Sequence, residues 1–353
     1  MALTQVDQGL LSSTAQYTGF KNRLINSAMV IDQRNAGASV TVSSDVYTLD
    51  RWQAVQSQAS KYTVQQNAAS VTPPTGFINY LGATSSAATS LGASDYFFLQ
   101  QIIEGLNIAD LAWGTANAST VTLSFWVRSS LTGTFGGSLA NSSGNRSYPY
   151  TFSISSANTW EQKSITIAGD TSGTWLTTNG SGIKLRFGLG VGTTYSGTAN
   201  AWAGANYFSA TGATSVVGTS GATFYITGVQ LEKGSTATSF DYRPYGTELA
   251  LCQRYYYNSY PNGGSGTGHT FAGGVIPSAL SIAECCVGFP VSMRATPTVT
   301  FPDGLGQSGV AAGTAATASQ IDTTGFLRGN KTSGNFTAAS SLVTGGFIAS
   351  AEL

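Results

Sequence analysis

The stretch 224–254, FYITGVQLEKGSTATSFDYRPYGTELALCQR, limits the possible folds more than any other part of the chain. Phe224, Ile226, Val229 and Leu231 form one apolar strand face only if the alternation slips by one residue between Ile226 and Val229. Gly228 sits in that gap, and glycine, lacking a Cβ, accommodates a bulge at little cost. Glu232-Lys233-Gly234 closes the strand, and Pro244, with no N–H to donate, takes the chain out of any sheet. The chain before this seam is long enough to close as one β domain, residues 21–245. Residues 246–353 are expected to make a second, smaller one, joined by a short helix over 247–257 with Thr247 as its cap.

Composition agrees with an all-β chain. Lys+Arg and Asp+Glu number 16 each, and charged residues are 9% of the total, against roughly a quarter in ordinary globular proteins. A neutral surface this poor in charge offers no footprint for nucleic acid or anionic membrane. Hydroxyls and amides must supply its polarity instead. With 43 Gly, 16 Tyr and 17 Phe, these are the residues of strands and tight turns. No apolar run is long enough for a membrane helix, and MALTQVDQGLL does not read as a signal peptide. The three cysteines, Cys252, Cys285 and Cys286, make no disulfide framework and are expected to be reduced.

Strand patterns recur at sandwich-like spacing over residues 60–66, 76–81, 95–103, 120–128, 150–155, 160–168 and 183–191. The clearest is 120–128, where Val121, Leu123, Phe125 and Val127 face one way and Thr122, Ser124, Trp126 and Arg128 the other. Residues 129–147 read as a Gly/Ser/Asn loop and 195–222 as an insertion carrying Trp202, Tyr207 and Phe208. Beyond the seam, strands are expected over 270–276, 282–289, 296–301, 310–314, 320–327 and 345–352. Residues 1–20 read as an arm ordered only by its neighbours.

Several motifs resemble bacteriophage tail-fibre and virion-fibre proteins. They are the segment 22–34 (NRLINSAMVIDQR), Tyr47-Thr48-Leu49-Asp50-Arg51-Trp52, GVQLEKGSTATSFDYRPYGTELALCQRYYY, Met293-Arg294-Ala295-Thr296-Pro297-Thr298-Val299 and the closing Ala349-Ser350-Ala351-Glu352-Leu353. Their order matches as well as their content. The resemblance implies a jelly-roll β-sandwich like a carbohydrate-binding module, followed by a β tip domain. It also implies a homotrimer attached to other virion proteins through the arm and a virion location after assembly in the host bacterium. The implied activity is that of a receptor-binding adhesin that binds host surface polysaccharide without cleaving it.

No catalytic constellation stands out. His269 is the single histidine, and no nucleophile, zinc or nucleotide motif accompanies it. A carboxylate pair that hydrolyses glycan, as in a depolymerase tailspike, is the enzymatic rival, but the acidic residues are scattered. Sugar binding needs flat aromatic rings and fixed polar groups. Trp126, Arg128, Arg186 and Tyr225 have that character, and Lys184 would join them if its strand lay beside theirs. The packing alternative has Trp126 covered by the 195–222 insertion or by another subunit. Trp52, Trp113 and Trp160 read as packing residues. In the tip, the loop carrying Asn262 and His269 is a contact candidate, and the cluster Tyr255-Tyr256-Tyr257 with Tyr260 and Arg254 is either a binding patch or glue between domains or subunits. The resemblance to jelly-roll carbohydrate modules suggests a structural calcium held by Asp32 or Asp50 with Gln230 or Glu232, but neither it nor any cofactor is predicted. The alternative function is purely structural: a collar, fibre or capsid-decorating protein.

Overall fold

The computed structural model describes residues 21–260, 272–275, 282–301, 317–331, 341–344 and 346–353. The arm 1–20, the tip loop with Asn262 and His269, and the strand expected over 310–314 lie outside them. The chain divides into two compact units, one of residues 1–30, 38–48 and 52–243, the other of residues 31–37, 49–51 and 244–353. Two short segments placed with the larger domain from sequence, 31–37 and 49–51, thus belong to the second unit.

The first unit is a jelly-roll sandwich of two antiparallel sheets, with a short parallel pair, Ser196–Gly197 and Ser209–Ala210, beside them. Its strands are β1 (Val40–Thr41), β2 (Val46–Leu49), β3 (Trp52–Gln56), β4 (Tyr62–Gln66), β5 (Leu81–Ser85), β6 (Tyr96–Glu104) and β7 (Val121–Ser129), then β8 (Gly133–Ala140), β9 (Ser147–Ile154), β10 (Glu161–Ile167), β11 (Ser181–Val191), β12 (Ser196–Gly197), β13 (Ser209–Ala210) and β14 (Thr223–Lys233). One sheet has the order β1-β4-β5-β14-β7-β10 and the other β2-β3-β6-β11-β8-β9. Aromatic rings join the two across the core. Phe125 on β7 meets Phe187 on β11 edge to face at 5.0 Å, Tyr62 on β4 meets Phe97 on β6 at 6.1 Å, and Phe135 on β8 stacks on Phe224 on β14 at 5.8 Å. All six are at most 1% exposed, and burying each such ring contributes roughly 1.5–3 kcal/mol.

The slip expected at Gly228 is present. Phe224, Ile226, Val229 and Leu231 are fully buried, the register with β7 jumps between Thr227 and Gln230, and Gly228 has φ +59°. The bulge lets β14 change partner. Before it, residues 223–226 pair with β5. After it, Val229 N–H donates to Ser27 O at 3.0 Å, Leu231 N–H to Asn22 Oδ1 at 3.2 Å, and Arg23 N–H to Leu231 O at 3.1 Å. The exit segment clasps the same strip, because the Arg243 guanidinium donates to Leu24 O at 2.9 Å and to Asn22 O.

Three expectations require correction. Residues 76–80 are a turn and not a strand; β5 begins at Leu81, since Gly76 takes φ +93° and Phe77 turns toward Phe240 and Tyr242. The supposed loop 129–147 contains β8, whose Gly136 and Gly137 weaken the strand signal but leave room for Ser209 and for the Tyr150 hydroxyl. The helix begins at Tyr245, because Glu248 N–H already bonds Pro244 O and puts Thr247 inside the first turn.

The second unit holds helix α1 (Tyr245–Gln253) and strands β15 (Tyr256–Asn258), β16 (Ala272–Val275), β17 (Ile282–Gly288), β18 (Thr298–Thr300), β19 (Thr317–Ser319), β20 (Gly325–Lys331), β21 (Ser341–Thr344) and β22 (Ile348–Ser350). These pair as β15-β22-β18, β17-β20-β19 and β16-β21. Val287, Met293, Phe326, Phe347, Ala349 and Ala351 form its core. Glu352 takes ion pairs from both Arg34 (2.6 Å) and Arg51. Those guanidiniums lie 3.6 Å from the ring centres of Tyr256 and Tyr255 respectively. Arg294 holds the same end of the chain through Ala351 O (2.8 Å) and Glu352 O (3.0 Å). Tyr255, Tyr256 and Tyr260 are buried and do not form an exposed patch.

Candidate functional site

Alternation along β7 turns Phe125 and Val127 into the core and Trp126 and Arg128 outward. Pairing sets their neighbours. Gln162 on β10 and Thr227 on β14 flank Trp126, and Tyr225 on β14 stands opposite Arg128. Arg128 is braced: its Nε donates to Asn158 O at 3.0 Å, and its guanidinium lies 5.6 Å from the Tyr225 ring centre. Trp126 and Arg128 are half-buried and Gln162 is exposed.

Tyr225 is brought to this face but is only 1% exposed. Tyr80 packs on it at 5.2 Å, and the facing Gly82 leaves space for its ring. Trp160 meets Tyr80 edge to face at 5.5 Å, with its indole N–H on Thr72 O at 2.9 Å. Tyr225 is therefore a support beneath the face and not a contact residue. Trp160, read from sequence as packing, is half-buried one residue before β10 and lies at the margin of the same face. What sequence reading lacked was the β7–β10 register, which puts Gln162 beside Trp126 and Trp160 at the level of Arg128. The patch carries two partly exposed indoles, a fixed guanidinium and an exposed amide. It can stack on C–H faces and bond hydroxyls.

Arg186 does not join it. β11 lies in the other sheet between β6 and β8, so Lys184 and Arg186 point out from the opposite side of the sandwich. The insertion covers that side and not Trp126: Phe208 lies over Arg186, its ring centre 4.7 Å from the guanidinium, and Ser209 packs over Gly136 and Gly188. The reading of Trp126, Arg128, Tyr225 and Arg186 as one site is corrected on this point. Trp52 and Trp113 are buried. Trp113, Trp175 and Trp202 pack on one another at 4.7–5.5 Å, and the indole N–H of each donates to a backbone carbonyl.

The carboxylates weighed for calcium take hydrogen bonds from their own chain. Asp32 accepts from the N–H groups of Arg34, Asn35 and Gly37, Asp50 from Gln33, and Glu232 from Thr238 and Gln230. Among the described residues no cluster of three His, Cys, Asp or Glu side chains has metal-binding geometry. Burial pushes the Asp50 carboxyl up to about 6, against the pull of Arg34 and of the Gln33 donors. Glu161, next to Trp160, goes the other way. Lys163 at 2.6 Å, with Ser155 and Ser156, holds it at about 2.

No family model matches the sequence, and no curated protein does. Among solved structures, the enzymatically active domain of tailspike protein 4 of bacteriophage CBA120 aligns with a TM-score of 0.33 and 11% identity, over 60% of this chain and 21% of that one. This chain thus spans about a fifth of the tailspike chain's length. A structure titled "CBM4 structure and function" aligns at 0.30 and 13%, over 59% of this chain and 98% of that one. A family 11 carbohydrate-binding module from Clostridium thermocellum, in complex with a β-1,3-1,4-mixed-linked tetrasaccharide, aligns at 0.28 and 11%, over 56% and 97%. Likeness at these TM-scores assigns neither a ligand nor an activity to this chain.

Proposed function

We propose that the chain is a polysaccharide-binding protein of bacteriophage-fibre type, which attaches to host surface glycan through the outer face of its first sheet. The observation that carries this reading is the Trp126 patch. A half-exposed indole on a rigid central strand stands beside an exposed Gln162 amide and a guanidinium fixed by Asn158 O and Tyr225. Such groups bind without reorganising, which lowers the entropy lost on association. The fibre role rests on the motifs at 22–34, 47–52, 228–257, 293–299 and 349–353, and with it come the homotrimer, the virion location and attachment through the arm. Three weak contacts on one axis gain avidity through effective concentration.

Binding without cleavage is part of the proposal. A glycosidase needs a carboxyl that still carries its proton near neutral pH. Glu161, next to Trp160 in sequence but in register with the inward-facing Val127, is held at about 2 and remains ionised. The test is binding of the purified chain to host polysaccharide, with reducing ends assayed in the same tube. Saturable binding without release supports the reading. Release of reducing ends ends the non-cleaving claim, and tight binding to virions with none to host cells would favour a structural virion protein.

A further inference from the structure

The outer face of the second sheet holds two cations that no carboxylate among the described residues neutralises. Lys184 and Arg186 lie two residues apart on β11, on the same side. Among the described residues neither has a carboxylate oxygen within 4 Å. Arg186 is 4% exposed. Its hydrogen bonds run from Nε to Gln100 Oε1 and from Nη1 to Asn206 Oδ1 and Tyr207 O, all 3.4 Å long. Its Nη2 has no acceptor among the described residues. The ring of Phe98 at 5.5 Å and that of Phe208 at 4.7 Å offset part of the desolvation, but a ring face is a weak substitute for an anion.

Two hydroxyls lie on the same side of this sheet. Ser138 stands directly opposite Arg186 on β8, and Ser209 covers the neighbouring Gly136 and Gly188. Both Oγ atoms are buried without a hydrogen-bond partner. Lys184, half-buried, makes one bond, to Ser142 O at 2.8 Å, and leaves ammonium hydrogens unused. Desolvation lowers the affinity of Arg186 for its proton to about 9, and the Lys184 pKa is also lowered, by burial and by Arg186. Donors without acceptors, gathered round an uncompensated charge, are costly in a folded protein.

We propose that Lys184, Arg186, Ser138 and Ser209 form a subsite for a small oxyanion, supplied by the carboxylate of an acidic sugar or by a phosphate group. The fork of Arg186 and the point charge of Lys184 suit a planar carboxylate or a phosphate. That the oxyanion belongs to a glycan rests on the polysaccharide-binding reading; the anion site itself does not.

The experiment titrates the full chain with sodium glucuronate, inorganic phosphate and, as the neutral control, glucose. Calorimetry and the Arg186 Nε–H resonance follow the binding. Either anion should saturate and move the resonance, and glucose should not. Tighter glucuronate identifies a sugar carboxylate as the source, and tighter phosphate a phosphate group. Arg186→Lys should weaken the anion about tenfold or more, since charge remains and the fork is lost. Lys184→Met, at a half-buried position, keeps the fold and should weaken it by at least about threefold. If neither anion moves the resonance, or both variants bind like the unaltered chain, the subsite does not exist. The Arg186 resonance reports the second sheet alone, so an anion that moves it while host polysaccharide fails to bind, or the reverse, distinguishes a failure of the first-sheet reading from a failure here.

Discussion

At the scale of single residues, Trp126 and Tyr225 face outward from the same sheet but differ in burial, and the difference gives them opposite mutational signatures. Trp126→Ala should weaken glycan binding by up to about tenfold, the worth of one ring contact, while the thermal midpoint moves by less than about 2 °C. Tyr225→Ala removes a ring clamped by Tyr80 and Gly82 and should cost about 3 kcal/mol in urea unfolding. A reversed pattern would make Trp126 a packing residue. Asp50 carries a pH signature of its own. Its carboxyl titrates at about 6, above the 3.8 of an exposed aspartate, so the folded chain keeps a proton that the unfolded chain gives up. Stability is therefore lost as pH rises from about 4 to about 6, by roughly 3 kcal/mol from this group. An NMR titration of the Asp50 carboxyl carbon checks the value, and in Asp50→Asn that slope of stability with pH should vanish.

At the scale of elements, β14 organises the sandwich because one glycine lets it serve two partners. Gly228 needs φ +59°, and a Cβ there would come within 2.5 Å of the Phe77 ring. Gly228→Ala should cost at least about 1–2 kcal/mol by urea unfolding and loosen amide protection at Val229 and Leu231, the two residues that pair with the 22–27 strip. β14 could be read in sequence because its apolar residues keep period two on either side of a single slip. β8 and β5 could not. Gly136 and Gly137 give β8 no alternation to read, and the apparent alternation of 76–81 belongs to a turn whose Phe77 packs in an aromatic trio with Phe240 and Tyr242. Residues of the motifs quoted from the sequence take defined places in the structure. Asn22, Arg243, Arg34, Arg51, Arg294 and Glu352 fix backbone atoms or one another within the unit each belongs to, and such roles tolerate few residue types.

At the scale of the whole molecule, the predictions concern assembly and attachment. Sedimentation equilibrium should give a mass three times that of the 353-residue chain, and the trimer should block phage adsorption to host cells at lower concentration than any monomeric form. A monomer that binds glycan as tightly on a surface as in solution would remove avidity from the account. Purified protein incubated with host polysaccharide should release no reducing ends.

The sequence by itself determined the residue-level grammar: an all-β chain, the bulge in β14, and the inward and outward sides of β7. These follow from side-chain alternation and from what glycine does to a local backbone, and neither depends on distant neighbours. Only the tertiary structure decided which outward faces belong together. It put Gln162 and Trp160 beside Trp126, sank Tyr225 under Tyr80, and sent Arg186 to the far sheet beneath the insertion. Strand order is set by packing between segments far apart in the chain, and alternation within a strand carries no record of it.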